Sequence, residues 1–182
     1  MKKVWNLETG EELFTLKHHP HCGWVTSVAV TADGKRAISS SRDGTVTVWN
    51  LETEEKLFTL KHDPHRGWVT SVAVTADGKR AISGSLDGTI KVWNLETGEN
   101  LFTLTGHSGS VQSVAVTADG KRVISGYWNR TIMWNLETRE VIATFKSHAP
   151  FFSCAVAPDG VTIVAGDRCG MVHFLKLENQ GE

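Results

Sequence analysis

Apolar and polar residues alternate along the chain in short runs of period two, and each run is broken by Gly with Asp. Residues 68–95, WVTSVAVTADGKRAISGSLDGTIKVWNL, carry three such runs. Val69, Ser71, Ala73 and Thr75 alternate with Thr70, Val72 and Val74, so successive side chains fall on opposite faces of a strand. Residues 80–85 and 89–94 are again β-branched or apolar. Asp77-Gly78 and Asp87-Gly88 tolerate the positive φ of tight reversals, which makes the stretch a three-stranded meander. One meander cannot bury both faces and is marginal alone, so it needs neighbours.

Those neighbours are present. Residues 24–39 and 68–83 are the same sixteen residues, WVTSVAVTADGKRAIS. The first Asp-Gly turn recurs at Asp33, Asp77, Asp119 and Asp159, at intervals of 44, 42 and 40, and the strand-ending Trp recurs at Trp5, Trp49, Trp93 and Trp134. A period of 40–45 with four strands per unit is the signature of an all-β propeller of four-stranded antiparallel blades. The expected strands of blade one are 25–31, 36–41, 45–50 and 56–61, and those of blade two 69–75, 80–85, 89–94 and 100–104. Blade three takes 111–117, 122–126, 131–135 and 140–145; blade four takes 151–157, 162–166 and 171–177 and has no outer strand of its own.

The units resemble WD40 repeats over almost the whole chain. The resemblance rests on Gly106-His107 before a strand, Ser83-Gly84-Ser85 in a second strand, Asp87-Gly88 at the next turn and Trp93 in the third strand, with Trp-Asn where the family has Trp-Asp. The near-identical copies are similar to the highly repetitive WD40 proteins of bacteria. The family implies that residues 12–17 act as the outer strand of blade four and close the ring. Residues 2–7 also read as a third strand, so either they or residues 171–177 fill that place in the closing blade. WD40-type rings usually hold seven or eight blades, and a half ring leaves apolar faces uncovered at its ends. The expected assembly is therefore a two-fold homodimer of eight blades, in which each N-terminal strand completes the partner's blade four; the alternative is a four-bladed monomer.

His21, Ser39, Asp43 and Trp49, and the copy His65, Ser83, Asp87 and Trp93, place Ser, His and Asp together as in a nucleophilic triad. No nucleophile elbow or oxyanion hole accompanies them. Residue by residue they match the hydrogen-bonded tetrad that the WD40 resemblance implies, which satisfies buried polar groups and stiffens the blade. Blade three keeps His107, Ser125 and Trp134 but has Asn129 for Asp; blade four has Ser147, Ala165, Cys169 and Leu175 in these places. The expectation is a protein that is not an enzyme. His18, His19, Cys22 and His62 are transition-metal ligand types, yet no CxxC or HxxxH element completes a four-ligand site, so neither metal nor other cofactor is expected.

Composition narrows the partners. The 182 residues carry a net charge of −1, which disfavours nucleic acid and anionic membranes, both of which select basic surfaces. No run approaches the ~20 apolar residues of a membrane span, and the N-terminus lacks the apolar stretch of a signal peptide. Three unpaired-looking cysteines agree with a reducing, cytoplasmic setting. The Lys-Arg pairs at 35–36, 79–80 and 121–122 share their face with Glu52, Glu96 and Glu137 and read as a mixed solvated rim.

The opposite face holds the remaining candidates. The WD40 resemblance implies partner contacts at Trp24, Thr26 and Arg42; Trp68, Thr70 and Leu86; Ser110, Gln112 and Trp128; and Pro150, Phe152 and Arg168. Trp and Arg are the residue types of binding hot spots, although Trp24 and Trp68 could equally cap the core between blades. The expected function is a protein-interaction scaffold for an unknown protein or peptide, with a purely structural self-assembling unit as the alternative.

Overall fold

A computed structural model describes residues 2–16, 23–62 and 67–177. Three antiparallel four-stranded meanders follow one another. Blade one comprises β3 (Val25–Val30), β4 (Arg36–Ser41), β5 (Thr45–Asn50) and β6 (Lys56–Lys61). Blade two comprises β7 (Val69–Val74), β8 (Arg80–Ser85), β9 (Ile90–Asn94) and β10 (Asn100–Leu104). In blade three these become β11 (Val111–Val116), β12 (Arg122–Tyr127), β13 (Arg130–Asn135) and β14 (Val141–Lys146). At the expected reversals glycine carries the positive φ, 68° at Gly78 and 84° at Gly88, a backbone state that costs a residue without Cβ little.

Blades pack face to face, first strand of one against first and second strands of the last. Ile38, Val46 and Val48 of blade one meet Val72, Ala81 and Trp93 of blade two. Ile82, Ile90 and Val92 of blade two meet Val114, Val123 and Trp134 of blade three in the same manner. Ile124 and Met133 meet Ile163 and, more loosely, Cys154 and Leu175. Polar clamps cross the seams as well. Thr26 donates to the Val69 carbonyl at 2.5 Å and Thr70 to that of Val111 at 2.7 Å. On the other rim Arg36 donates to the Leu95 carbonyl and Arg80 to that of Gly120, so the rim expected to be merely solvated also ties blades together.

Both chain ends depart from a finished ring. Among the described residues, blade four holds β15 (Phe151–Val156), β16 (Thr162–Asp167) and β17 (Val172–Lys176), with β17 as its third strand and edge. The candidate closing strand, β2 (Glu12–Leu16), pairs antiparallel with β1 (Lys2–Trp5), not with β17, and Lys3 bridges to Glu12 across the pair. Within the chain β1 thus lies beside β2, and β17 is the third strand of blade four beside β16. The apolar end faces stand open. Val28 is 65% exposed where its repeat equivalent Val72 is 6%, and Phe174 is 75% exposed where its equivalent Val92 is 0%.

Candidate functional site

The first strand of every blade contains a β-bulge at one repeat position. Register slips between Val25 and Ser27, Val69 and Ser71, Val111 and Ser113, and Phe151 and Ser153. The skipped residues are Thr26, Thr70, Gln112 and Phe152. A bulge kinks the strand and re-aims the extra side chain, which carries these four toward the face where the second-to-third turns lie. The loops at that face are joined by backbone bonds: Arg42 N–H to the Trp24 carbonyl (2.9 Å), Leu86 N–H to Trp68 (2.9 Å) and Arg168 N–H to Pro150 (2.8 Å). Residues eighteen positions apart are therefore neighbours in blades one, two and four.

Two clefts result. The larger, about 550 Å³, is lined by Trp24, Thr26, Arg42, Trp68, Leu86 and Gln112, with Val25 and Thr70. The second is lined by Ser110, Gln112, Trp128, Pro150, Phe152 and Arg168, so Gln112 is common to both. Trp24 is 71% exposed and Trp68 about half exposed, so both rings present surface to the cleft. Between them lies Arg42, its guanidinium carbon 4.4 Å from the Trp24 ring centroid and 4.6 Å from that of Trp68. Thr26 and Thr70 line the cleft, but their hydroxyl protons are engaged in the seam bonds described above. In blade three the turn is one residue shorter than in blades one and two, and Trp128 itself takes φ 39°.

Beneath this face sit the tetrads, and that of blade two requires a correction. His65 lies outside the described residues, and the imidazole in the tetrad is that of His62. Trp93 Nε1–H donates to Ser83 Oγ at 2.8 Å, and Ser83 Oγ lies 2.6 Å from His62 Nε2. His62 Nδ1 is 3.4 Å from Asp87 Oδ2. With the Ser83 acceptor filled by Trp93, its proton goes to Nε2, and Nδ1–H points to Asp87. Burial works to raise the Asp87 carboxyl, but His62 and the hydroxyl and amide of Thr89 outweigh it and hold the group well below the usual carboxylate range. His62 follows β6 directly, so the extra loop residues come after the histidine. Counting back from the next strand therefore lands on the wrong one.

In blade one, Trp49 Nε1–H donates to Ser39 Oγ at 3.0 Å, and Asp43 accepts from the Thr45 amide and hydroxyl; His21 lies outside the described residues. Blade three keeps Trp134 to Ser125 at 3.0 Å and Ser125 to His107 at 2.9 Å. Asn129 does not replace the missing Asp. His107 Nδ1 is buried without a hydrogen bond of ordinary geometry, although the Gly88 backbone stands near enough to favour its protonation slightly. Burial dominates and pushes the imidazole down to about 4.

Blade four has neither the His nor the Ser–Trp pair in the tetrad places, yet it carries a polar cluster that Ser147 joins by donating to Asp167 Oδ2 at 3.5 Å. His173 Nε2–H donates to Asp167 Oδ2 at 2.9 Å, while Asp167 Oδ1 accepts from the amides of Cys169 and Met171. The His173 ring also packs against Phe145 and Phe151. His173 and Asp167 are shifted along their strands from the repeat positions, so alignment to the other blades passes over them. Of the metal-ligand types noted in the sequence, His62 is spent on its tetrad; His18, His19 and Cys22 lie outside the described residues. Among the described residues no group of three His, Cys, Asp or Glu side chains is placed to hold a metal ion, and no helix is long and apolar enough to cross a membrane.

The model of the WD40 family, described as WD domain, G-beta repeat, matches the chain four times, at residues 10–50, 55–94, 98–134 and 139–174. The chain belongs to the WD40 repeat family. Similar solved structures include one titled "Structure of U3-55K", with a TM-score of 0.80 and 24% identity. Another is titled "Crystal structure of RRP9 WD40 repeats", with a TM-score of 0.80 and 23% identity. Each aligns with 89% of this chain but only 51% and 50% of its own, so the WD40 chain described here spans about half their length. At that identity the likeness is one of propeller fold. No curated protein matches the chain significantly.

Proposed function

We propose that this WD40 chain is a non-enzymatic protein-interaction scaffold, cytoplasmic, that takes a protein or peptide segment on the face formed by Trp24, Arg42, Trp68, Gln112, Trp128 and Arg168. The observation that carries the reading is the pair of adjoining clefts, built by one bulge repeated in each blade and lined by exposed aromatic and Arg side chains of four blades. Such side chains contribute most of the energy at interfaces. The tetrad serines support the non-enzymatic part: Ser39, Ser83 and Ser125 are buried and bonded to Trp indoles, out of reach of any substrate. Free thiols at Cys154 and Cys169 agree with a reducing compartment.

The same reading includes a homodimer, in which the N-terminal strand of one copy completes blade four of the other. Its support is the open end faces and the β17 edge. Every seam inside the chain joins a Val28-like face to a Phe174-like face, so two copies head to tail repeat a contact the chain already makes three times. Because β2 is paired with β1, completing blade four requires exchange of that partner or pairing through the free edge of β2. A self-assembling unit without an external ligand would use the same ends and leave the clefted face idle.

Capture of binding partners with wild type and with Trp24→Ala, Trp68→Ala and Trp128→Ala separates the two. The scaffold reading expects a saturable partner lost in at least one variant. A saturable partner retained by all three would overturn the assignment of the face.

A further inference from the structure

The charge of the clefts points to a narrower partner. Among the described residues, Arg42 is the one charged side chain lining the larger cleft, and Arg168 the one lining the second. Asp43, Asp87 and Asp167, on the same turns, keep their negative charges but turn their oxygens to other donors. Asp43 is bonded to the Thr45 amide and hydroxyl, Asp87 to His62 and Thr89, and Asp167 to His173 and two backbone amides. Among the described residues, none accepts a hydrogen bond from the Arg42 or Arg168 guanidinium.

Arg42 is also pre-organised. Held between the Trp24 and Trp68 indoles, its guanidinium is stabilised by the ring quadrupoles and loses little further freedom on binding. Contact with the two indoles leaves the N–H donors of the guanidinium, which no acceptor among the described residues occupies, for a ligand. A carboxylate meets the guanidinium fork with two parallel hydrogen bonds, the strongest neutralisation available to Arg. The spaces beside it, at Leu86 and Val25 in one cleft and Trp128, Pro150 and Phe152 in the other, take apolar side chains.

We infer that the clefted face binds an acidic peptide segment, with Asp or Glu carboxylates on Arg42 and Arg168 and apolar side chains between them. The inference rests on the interaction face proposed above and adds its ligand chemistry.

The test is fluorescence anisotropy with short labelled peptides that alternate Glu with Leu, against twins carrying Gln, Lys or phosphoserine in place of Glu. The Glu peptide should bind at least about tenfold more tightly than the Gln twin and weaken with salt. Arg42→Ala should lower its affinity about tenfold or more, and Arg42→Lys nearly as much, because an ammonium cannot fork. Arg168→Ala should weaken it independently. Lys121→Ala, on the opposite face, should leave it unchanged, and circular dichroism melts establish that each variant is folded. Equal binding of Glu and Gln peptides, no binding of the Glu peptide, or preference for the Lys peptide overturns the inference. So does a phosphoserine peptide bound more than about tenfold tighter than the Glu peptide, which would make phosphate the ligand group. Charge-blind binding that still falls in Trp24→Ala or Trp68→Ala refutes the acidic ligand and leaves the face intact. Acidic binding indifferent to every Arg and Trp variant refutes both.

Discussion

Replacing His62 by Ala tests the tetrad assignment directly. The imidazole is fully buried and stands between Ser83 Oγ at 2.6 Å and Asp87 Oδ2 at 3.4 Å, with its edge toward the Trp93 ring. Its removal leaves the Ser83 hydroxyl proton without its acceptor, a cost of about 1–3 kcal/mol for a buried polar group. It also removes a bond to a charged carboxylate, itself about 1.5–3 kcal/mol. The two losses share one site and do not add fully, and Asp87 keeps the Thr89 amide and hydroxyl. About 3 kcal/mol in total is expected, or about 6–12 °C in Tm for a chain of this size. His65→Ala should change stability by no more than about 0.5 kcal/mol. His107→Ala should fall between, near 1–2 kcal/mol, because His107 has one bonded nitrogen where His62 has two. Thermal and urea melts followed by Trp fluorescence give the ranking. A His65→Ala variant that loses as much stability as His62→Ala would refute the assignment.

Three further outcomes are expected. His107 is held neutral in the fold by burial, with its pKa lowered from 6.5 to about 4; the unfolded chain binds a proton that the fold does not, so stability is full above about pH 6.5 and falls as pH drops toward 4. Urea midpoints at pH 7.5 and 4.5 should show a wild-type loss of up to about 3 kcal/mol from this group that His107→Gln lacks, and equal losses in both proteins would contradict it. Burial pushes the Cys154 thiol up to about 11, so a thiol reagent at neutral pH should label exposed Cys169 and leave Cys154 unlabelled until denaturant is added, as read by peptide mass mapping. Val28→Asp or Phe174→Asp should shift the assembly toward single chains without lowering the melting temperature of the monomer by more than about 2 °C, since both side chains are open in one copy.

Much of the blade architecture was legible because it is local and repeated. Period-two alternation marked the strands, Asp-Gly marked the reversals, and Ser83 with Trp93 fell together as the spacing required. What escaped was set by register. The loop between β6 and β7 can carry its extra residues on either side of a histidine, and composition favours neither, so the sequence alone does not separate His62 from His65. A bulge leaves no mark in the alternation, since Thr26 and Thr70 look like ordinary strand residues. The Asp167–His173 pair sits off the repeat positions and is visible only once β16 and β17 are aligned. The pairing of β2 with β1 was hidden because a closing strand and a hairpin partner have the same pattern. Arg42 between two indoles could have been suspected from its repeat position, where blade two has Leu86, but the stacking depends on the Trp24–Arg42 backbone bond.

In the proposed homodimer each chain is half of a ring, and a second copy covers its apolar end faces. The solution mass, by light scattering coupled to size exclusion, tests this most directly. For a chain of 20.0 kDa, a mass of about 40 kDa, falling toward one chain in Val28→Asp and Phe174→Asp, is the predicted result. A stable species of about 20 kDa at every concentration would contradict it, and would mean that the two end faces do not bring copies of this chain together.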